Sequence, residues 1–470
     1  MRSKRERGIM NMKKLNVCIM VIVYLFLWTH EIGAQKNTIV IIGTGYVGLV
    51  TGTCLAECGH TVICADINKS KIDLLHQNIM PIFEPGLEEM VKRNVGAERL
   101  FFTTDIDQAL EQADCIFVAV DTPMNSDGYA DMTAINQVFS SITGHLDRYK
   151  IICVKSTVPI GTGARLLESL QQAGVDPENY DLVSNPEFLR EGNAIHDFLE
   201  PDRIIIGTAS PKAQDYMRMI YKSFMEKNIP CIFTNIVSAE TIKYASNAFL
   251  ATKIGFINEM ANLCDQTGAD IADVANGMGL DNRIGRAFLK PGPGFGGSCF
   301  PKDCHALDKL ARFLGVPLHI VSAALHANEN QKKKPGEKLI ALMNDGLRGK
   351  TIAVLGLAFK NNTDDVRSSP AITTINFLLE KGAIVHAYDP AAIENMQKIF
   401  PTISYFHSLY DALKGADAII IMTEWDEFKF MDLGKIAELV HQRILVDARN
   451  LLDPMELKKY GFSYLMMGRP

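Results

Sequence analysis

The sequence lacks an excess of basic residues, which argues against a polyanionic partner. It has 48 Lys and Arg against 54 Asp and Glu, a formal net charge of −6 at pH 7, so we expect no nucleic acid as its main partner. None of its ten cysteines forms a Cys-x-x-Cys pair, so zinc-site and thioredoxin-like spacings are missing and no metal is expected. With 47% hydrophobic and 22% charged residues, the composition excludes a mainly disordered, collagenous or coiled-coil chain.

The chain also lacks a membrane-spanning run at its start. The apolar segment Leu15–Trp28 is shorter than the ~20 residues that cross a bilayer. It follows a basic stretch and precedes Ile32-Gly33-Ala34, which is the outline of a secretory signal peptide. Two interpretations stay open for residues 1–36: an export signal, or an extension outside the functional protein. We expect a cytoplasmic protein that contacts a membrane only if this segment is retained, because the chemistry inferred below needs cytosolic dinucleotide.

A glycine-rich loop predicts a dinucleotide-binding domain. The β-branched run Thr38–Ile42 leads into Gly-Thr-Gly-Tyr-Val-Gly at 43–48, a helical pattern follows, and a second apolar run, Thr61–Ala65, ends at Asp66. The three glycines permit a tight turn, close approach to a pyrophosphate, and helix–strand packing. A carboxylate at Asp66 would bind the ribose hydroxyls and repel a 2′-phosphate, so the pattern favours NAD over NADP.

Polar residues follow the next apolar runs. Three runs predict buried parallel strands: Asp114–Val120, Lys150–Lys155 and Tyr180–Ser184. Ligands bind at the carboxyl ends of strands in doubly wound sheets, so Thr122, Thr157 and Glu187 are candidates to line one cleft. The alternative is that the Thr-Pro and Asn-Pro pairs in these segments only start turns.

A long helix is predicted from Ser238 to about Gly268, because apolar residues recur at helical spacing and no proline intervenes. About 30 helical residues would span ~45 Å, which suits a helix that joins two domains and buries a face in a dimer. Lys243 and Asn247 are four residues apart and therefore share a face of this helix. The alternative for Lys243 is a solvated surface charge.

A reactive cysteine is predicted in the loop that follows. Residues 291–303 contain four glycines and three prolines around Cys299, so we expect the segment to be a loop, neither helix nor strand. Lys302 and Asp303 are adjacent, and a nearby cation would lower the pKa of the thiol. Cys299 is thus a candidate nucleophile, with a plain turn cysteine as the alternative.

A second α/β sheet is predicted after a polar linker at 332–336. Four apolar runs indicate its strands: Thr351–Leu355, Ala383–Tyr388, Asp417–Met422 and Arg443–Val446. The glycine loop after the first of these strands is incomplete, so a single-nucleotide or uridine pocket is more plausible than a second dinucleotide site. Lys360, Arg367 and Arg449 would supply positive charge for phosphates.

These segments together resemble the UDP-glucose/GDP-mannose dehydrogenase family. Eight motifs occur in family order over about residues 38–470: GTGYVGLV, EPGLEE, KSTVPIGT, SNPEFLREG, KYASNAFLATKI, FGGSCFPKD, GLAFKNNTDDVR and TEWDEF. The resemblance implies an α/β fold in which two Rossmann-like doubly wound domains are joined by a long central helix and a small helical dimerisation region. It also implies an NAD-dependent four-electron oxidation of UDP-glucose to UDP-glucuronate for polysaccharide biosynthesis, in a homodimer or higher homo-oligomer.

The resemblance assigns roles to individual residues. A thiolate at Cys299 would capture the aldehyde as a thiohemiacetal, and the thioester formed from it would be hydrolysed. The remaining catalytic residues would be Lys243 and Asn247 at the oxyanion, Asp303, Thr157 and Glu191 at the water, and Glu187 as acid or base. The cofactor would be bound by Gly43, Gly45, Tyr46, Val47, Gly48, Asp66, Lys71, Thr122, Thr157, Glu191 and Arg367. The substrate would be bound by Glu187, Phe188, Leu189, Lys243, Asn247, Phe288, Leu289, Phe295, Gly296, Lys360 and Arg449, and by Arg283 of a neighbouring subunit.

The sequence departs from the family pattern at Asp121, which precedes Thr122-Pro123 and is expected to weaken NAD binding modestly, and at Ala448, which is expected to tighten a turn.

We expect an NAD-binding domain at 37–235, a central helical domain at 236–331 and a UDP-sugar-binding domain at 337–470. The motifs favour UDP-glucose, while GDP-mannose or a UDP-N-acetylhexosamine stays open as the substrate. A more remote alternative is a non-catalytic nucleotide-binding protein.

Overall fold

A computed structural model describes residues 37–125 and 127–469 of the chain. The signal-like segment predicted at 1–36 lies outside these residues. The N-terminal part consists of β1 (Thr38–Ile42), α1 (Tyr46–Glu57), β2 (Thr61–Ala65), α2 (Lys69–His76), α3 (Leu87–Gly96), β3 (Leu100–Thr103), α4 (Ile106–Gln112), β4 (Cys115–Val118), α5 (Thr133–Thr143), β5 (Lys150–Val154), α6 (Thr162–Gln172), a 3₁₀ turn (Pro177–Asn179), β6 (Tyr180–Ser184), α7 (Ala194–Leu199), β7 (Ile204–Gly207), α8 (Pro211–Ile220), α9 (Lys222–Glu226) and β8 (Cys231–Thr234).

The N-terminal strands form one sheet in the order β3-β2-β1-β4-β5-β6-β7-β8. Its pairs are parallel except β6–β7, which is antiparallel. In β1, Ile39 and Ile41 pack into the apolar cluster on one face, while Val40 and Ile42 pack into that on the other. A strand buried on both faces needs apolar residues throughout, which is why unbroken runs predicted these strands. The order in which successive strands are added reverses between β1 and β4, and ligands bind at this point in such sheets.

The central part is helical. It comprises α10 (Ile236–Thr267), α11 (Ile271–Gly279), α12 (Phe300–Phe313) and α13 (His319–Gln331). Asn235 starts α10 by accepting a hydrogen bond from the Ser238 amide, and Gly268 ends it in the left-handed region. The predicted long helix is therefore confirmed and begins two residues earlier than expected. Its 32 residues span ~48 Å.

The C-terminal part is a second parallel sheet in the order β11-β10-β9-β12-β13-β14. Its elements are α14 (Lys334–Leu342), β9 (Thr351–Leu355), α15 (Pro370–Glu380), β10 (Ile384–Tyr388), α16 (Ile393–Gln397), β11 (Ser404–Tyr405), α17 (Leu409–Leu413), β12 (Ala418–Ile421), α18 (Asp426–Lys429), α19 (Leu433–Leu439), β13 (Ile444–Asp447), α20 (Pro454–Lys459) and β14 (Ser463–Met466). The predicted fold class, with two Rossmann-like domains joined by a long central helix, is confirmed.

The polar linker expected at 332–336 is wrong. Helix α13 ends at Gln331 and α14 begins at Lys334, so Pro335 and Gly336 lie in the first turn of a helix. Proline is tolerated there because the first amides of a helix have no intrahelical acceptor. Lys332 is buried and pairs with Glu329 at 2.7 Å.

The second glycine loop is closed by its own sheet. Asp389, at the end of β10, accepts hydrogen bonds from the amides of Leu357 and Ala358 at 2.7 and 3.1 Å and from the Trp425 indole at 3.2 Å. Two amides of the second glycine loop are therefore already paired with a carboxylate of the same sheet. The expectation that this loop does not hold a second dinucleotide stays a prediction.

Candidate active site

The glycine loop at 43–48 connects β1 to α1 at the switch point of the N-terminal sheet. Gly43 has φ +103°, and a Cβ there would lie 2.7 Å from the Ala119 carbonyl oxygen, so only glycine fits. Gly45 is the N-cap of α1 and provides no side-chain cap. The first amides of the helix can therefore donate hydrogen bonds to an anion. Tyr46 and Val47 form its first turn. The loop thus fits a pyrophosphate.

Asp66 folds back onto this loop from the end of β2. Its carboxylate accepts hydrogen bonds from the Thr44 amide and hydroxyl, each at 2.8 Å, and from the Asn68 amide at 2.8 Å. Burial alone would raise the pKa of Asp66, but these donors and the charge of Lys71 hold it below the usual value. A fixed anion at this position fits ribose hydroxyls and repels a 2′-phosphate. These residues therefore fit NAD.

Cys299 lies where the three parts of the chain meet. It is half-buried and immediately precedes α12, so the loop expected through Asp303 is wrong from Phe300 onwards, where Pro301 fits the first turn of the helix. The Cys299 carbonyl accepts the Asp303 amide at 2.8 Å. Two residues earlier, the Gly297 amide donates to the Arg367 carbonyl of the C-terminal part at 2.8 Å. The Ser298 hydroxyl lies 3.4 Å from Glu191 and 3.6 Å from the Cys299 Sγ. The cysteine loop is therefore held against both Rossmann-like parts.

Three buried charged side chains, Glu187, Lys243 and Asp303, act electrostatically on the thiol. Lys243 donates to Glu187 at 2.8 Å with side chains only 4% and 5% exposed, and Asn247 donates to Asp303 at 2.7 Å. Lys243 and Asn247 share the inward face of α10, so the alternative of a solvated lysine is wrong. Burial alone would lower the pKa of Lys243 and raise that of Glu187, but their attraction reverses both shifts. The pair is therefore charged.

The expectation that a neighbouring cation lowers the pKa of Cys299 is wrong for this structure. Lys302 instead donates to Asp303 at 2.8 Å. Burial, followed by the charge of Glu187, raises the pKa of Cys299 to about 11, while Lys243 acts in the opposite direction. Cys299 therefore carries its proton at neutral pH in the free protein.

This protonation state leads to a prediction for alkylation by iodoacetamide, which reacts with the thiolate. We expect the rate at Cys299 to rise about tenfold per pH unit from pH 7 towards pH 11, because the thiolate fraction grows in that proportion. Mass spectrometry of the peptide containing Cys299 measures this rate. A rate that levels off near pH 7 would show that the thiolate already predominates and would contradict the raised pKa.

Glu191 joins the N-terminal and C-terminal parts beside the cysteine loop. It accepts hydrogen bonds from Thr363 at 3.1 Å and from Arg367 at 3.3 Å. Burial, followed by repulsion from Asp365, raises the pKa of Glu191 to about 7. A carboxyl group that titrates near neutral pH can accept and return a proton during turnover.

The expected substrate residues fall into three groups. Phe188 and Leu189 adjoin Glu187, and the Lys243 ammonium lies 5.2 Å from the centre of the Phe188 ring. A second group lies in and before the cysteine loop: Phe288, Leu289, Phe295 and Gly296. The rings of Phe288 and Phe295 each pack against Phe300, and Gly296 lies against Ser368.

The third group carries charge in the C-terminal part. Arg449 donates to the carbonyls of Met422 and Phe359 at 2.8 and 2.9 Å, and it pairs with Glu424. Lys360 is half-buried, and this burial lowers its pKa. Both cations lie at carboxyl ends of strands, where phosphate ligands are held in such sheets.

Arg283 is not brought to the site of its own chain. Its side chain is exposed and pairs with Asp281. The expectation that it serves a neighbouring subunit stays a prediction. Thr122 and Thr157, by contrast, are brought together, because the Thr122 hydroxyl donates to the Thr157 carbonyl at 2.8 Å.

The two departures from the family pattern have different surroundings. Asp121 lies at the mouth of the glycine loop, 3.6 Å from where a Cβ of Gly45 would stand, and its charge helps to raise the pKa of Arg367. The weaker NAD binding expected from Asp121 stays a prediction, and Arg367 opposes it electrostatically. Ala448 is fully buried, and its methyl group packs in the apolar core of the second sheet.

Sequence reasoning missed three residues that contribute to the site. Lys155 is 5% exposed and donates to both oxygens of Asn185, and burial lowers its pKa to about 8. Its signal was a lysine within a motif at the end of an apolar strand. Ser298 and Thr363 contact Glu191 and lie in motifs that were recognised without assigning them a role.

The described residues also lack two features that would indicate other functions. In the ranges 37–125 and 127–469, no helix has the length and hydropathy of a membrane span. Within the same ranges, no group of three or more His, Cys, Asp and Glu side chains is arranged to hold a metal ion.

Known proteins and family models match most of the described chain. Three models of the UDP-glucose/GDP-mannose dehydrogenase family match: its NAD binding domain at 37–225, its central domain at 237–330 and its UDP binding domain at 353–454. The chain is 48% identical over 433 residues to UDP-glucose 6-dehydrogenase TuaD of Bacillus subtilis, covering 92% of this chain and 93% of that protein.

Solved structures of two similar proteins have the same fold as this chain. A UDP-glucose dehydrogenase from Pyrobaculum islandicum matches with a TM-score of 0.85 and 35% identity, over 93% of this chain and 99% of that one. A UDP-D-ManNAc dehydrogenase from Pyrococcus horikoshii matches with a TM-score of 0.81 and 27% identity, over 92% and 99%. The NAD binding domain model confirms the predicted cofactor. The chain belongs to the UDP-glucose/GDP-mannose dehydrogenase family.

Proposed function

We propose that this chain is an enzyme that oxidises UDP-glucose to UDP-glucuronate in two successive hydride transfers to NAD. The observation that carries the proposal is the buried cluster around Cys299, in which Lys243 is paired with Glu187 and Asn247 with Asp303. The relatives in Bacillus subtilis and Pyrobaculum islandicum are both named for UDP-glucose, which supports this substrate. Because NAD is a cytosolic metabolite, we place the reaction in the cytoplasm.

Aldehyde capture by Cys299 solves the main chemical problem, which is to reach an acid without releasing an aldehyde. Bound NAD would accept a hydride from C6 of the sugar in each oxidation. After the first oxidation, the Cys299 sulfur adds to the aldehyde carbon and the thiol proton passes to the aldehyde oxygen, which gives a thiohemiacetal. Loss of a hydride and of the hydroxyl proton then gives a thioester. Water cleaves the thioester, which releases the carboxylate and returns the thiol.

Lys243 and Asn247 stabilise the oxygen that gains negative charge in these steps, and their burial strengthens the interaction. Glu191 accepts a proton from the attacking water, a role that suits a carboxyl group with a pKa of about 7. Asp303, hydrogen-bonded to both Asn247 and Lys302, orients the amide and balances the charge. Lys360 and Arg449 bind the phosphates of UDP in the C-terminal part.

The test is to count NADH formed against UDP-glucose consumed. Two NADH for each UDP-glucose supports the proposal. The same ratio with GDP-mannose or a UDP-N-acetylhexosamine, and none with UDP-glucose, would keep the chemistry and change the substrate. Measurable NAD binding without turnover of any sugar nucleotide would favour the non-catalytic alternative.

We also propose that the chain forms a homodimer through one face of α10. Phe249, Phe256 and Leu263 are 66%, 44% and 53% exposed, and their spacing of seven residues places them in one stripe along the helix. A contiguous exposed apolar stripe of this kind marks an interface. A subunit on this face would also give Arg283 the neighbouring site that the family resemblance assigns to it.

We expect the variant Phe256→Glu to shift the mass measured by light scattering from dimer to monomer, because it buries an unpaired charge in the interface. Phe430→Glu, at an equally apolar but isolated exposed position in the C-terminal part, is the control and should leave the mass unchanged. A wild-type protein that is monomeric at micromolar concentration, or a dimeric Phe256→Glu variant, would contradict the assignment of this face.

A further inference from the structure

The motif EPGLEE contains three glutamates in very different environments. Glu88 and Glu89 lie in the first turn of α3 and are exposed to solvent, whereas Glu84 is only 8% exposed. Among the described residues, Glu84 takes part in no ion pair, whereas the exposed Glu88 of the same motif pairs with Lys92. Burial of a carboxylate without a cation is costly unless several donors compensate for it, so the donors around Glu84 define its role.

Three neutral groups hold the Glu84 carboxylate. The Gly192 amide donates to it at 2.6 Å and the Ala194 amide at 2.7 Å. The Tyr46 hydroxyl lies 2.8 Å from it and also contacts the Phe83 carbonyl. Tyr46 belongs to the glycine loop, and its hydroxyl also lies 3.2 Å from the Gly192 amide. One side chain therefore connects the cofactor loop to the segment 191–194.

That segment carries the contacts between the two Rossmann-like parts. Glu191 accepts from Thr363 and Arg367 and lies next to Ser298. At Gly192, a Cβ would collide with the carbonyl of Asn362, so the backbones meet directly there. A shift of this segment would move Glu191 relative to the cysteine loop.

We propose that Glu84 is a positioning residue for the reaction: it fixes Glu191 beside the cysteine loop and links that placement to Tyr46 of the glycine loop. The proposal rests on the proposed function and extends it to a residue that touches neither reacting atoms nor the cysteine. A glutamine at this position keeps one oxygen that can accept a hydrogen bond. Its other terminal group is NH2, a donor, which would face the backbone amide of Gly192 or Ala194, also a donor. One of the two backbone hydrogen bonds must then be lost.

The experiment compares Glu84→Gln with Glu89→Gln, which makes the same chemical change at an exposed glutamate of the same motif. We expect kcat to fall by about 10²-fold in the first variant, as for a misplaced catalytic group, with KM for UDP-glucose changed less than about threefold. Because burial is the largest cause of the raised pKa of Glu191, a loosened segment becomes more hydrated and this pKa falls. The acid limb of the kcat/KM profile should therefore move to lower pH. Glu89→Gln should match the wild type in each measurement.

Hydrogen exchange tests the link separately from turnover. In the wild type, added NAD should slow exchange in the peptide that contains Gly192 and Ala194, and in Glu84→Gln this protection should be lost. If the wild type protects the segment but turns over no sugar nucleotide, the proposed function fails while the link stands. If Glu84→Gln does not fold, Tyr46→Phe removes the other end of the link, and we expect it to abolish the same protection.

Two outcomes would overturn the proposal. One is a wild-type kcat and pH profile in Glu84→Gln. The other is a loss of activity together with a lower melting temperature, while the pH profile and the protection by NAD stay as in the wild type. That result would assign Glu84 to stability alone.

Discussion

Replacement of Cys299 by alanine is expected to lower the rate of UDP-glucuronate formation by on the order of 10⁶-fold, as for loss of an enzymatic nucleophile. The number of NADH formed per UDP-glucose should fall from two towards one. The first oxidation needs no sulfur, whereas the second requires the thiohemiacetal that only a nucleophile at this position provides. NADH absorbance counted against UDP-glucose consumed measures both effects in one reaction.

Cys304 supplies the control, because it is a buried thiol in α12, five residues after Cys299, and is only 1% exposed. Cys304→Ala leaves a small cavity and costs stability, but it should retain two NADH per UDP-glucose. If Cys299→Ala also retained this ratio at the wild-type rate, covalent capture would be wrong. If both variants lost activity in parallel with their melting temperatures, the effect would belong to packing.

The elements that position this site could be predicted closely from the sequence. Strand Tyr180–Ser184 matches the prediction in full, and Asp114–Val120 was longer than the observed Cys115–Val118. Both strands are buried on two faces, and an unbroken apolar run is a strong signal of that environment. The face shared by Lys243 and Asn247 followed from helical periodicity alone.

The electrostatics of the site could not be predicted in this way. Lys302 precedes Asp303 in the chain, and the structure directs its ammonium to that carboxylate and not to the thiol. Whether Cys299 is ionised depends on burial and on Glu187, which lies 112 positions away and comes close only in the folded chain. The helix at Lys334–Leu342 was missed for a related reason, since Pro335 ends a helix in the interior but fits its first turn.

Replacement of Lys243 by methionine is expected to have a different signature from loss of the cysteine. Removal of the cation that stabilises the oxyanion should lower kcat by about 10²–10³-fold, but the ratio should stay at two NADH per UDP-glucose, because Cys299 still captures the aldehyde. Stability should also fall by about 3–5 kcal/mol, because Glu187 is left buried without its partner. Assays of NADH formation measure the fall in kcat, and thermal unfolding of the same preparations measures the fall in stability.

The double variant Lys243→Met with Glu187→Gln separates catalysis from stability. It removes both charges of the buried pair, so no carboxylate is left uncompensated and the melting temperature should recover most of the loss. We expect kcat to stay low, because neither methionine nor glutamine replaces the ammonium beside the developing oxyanion. If kcat recovered together with the melting temperature, the Lys243–Glu187 pair would serve only to hold α10 against the N-terminal sheet. If kcat in the stable double variant is as low as in Lys243→Met alone, and two NADH are still formed per UDP-glucose, the loss belongs to the missing ammonium in a reaction whose covalent step is intact.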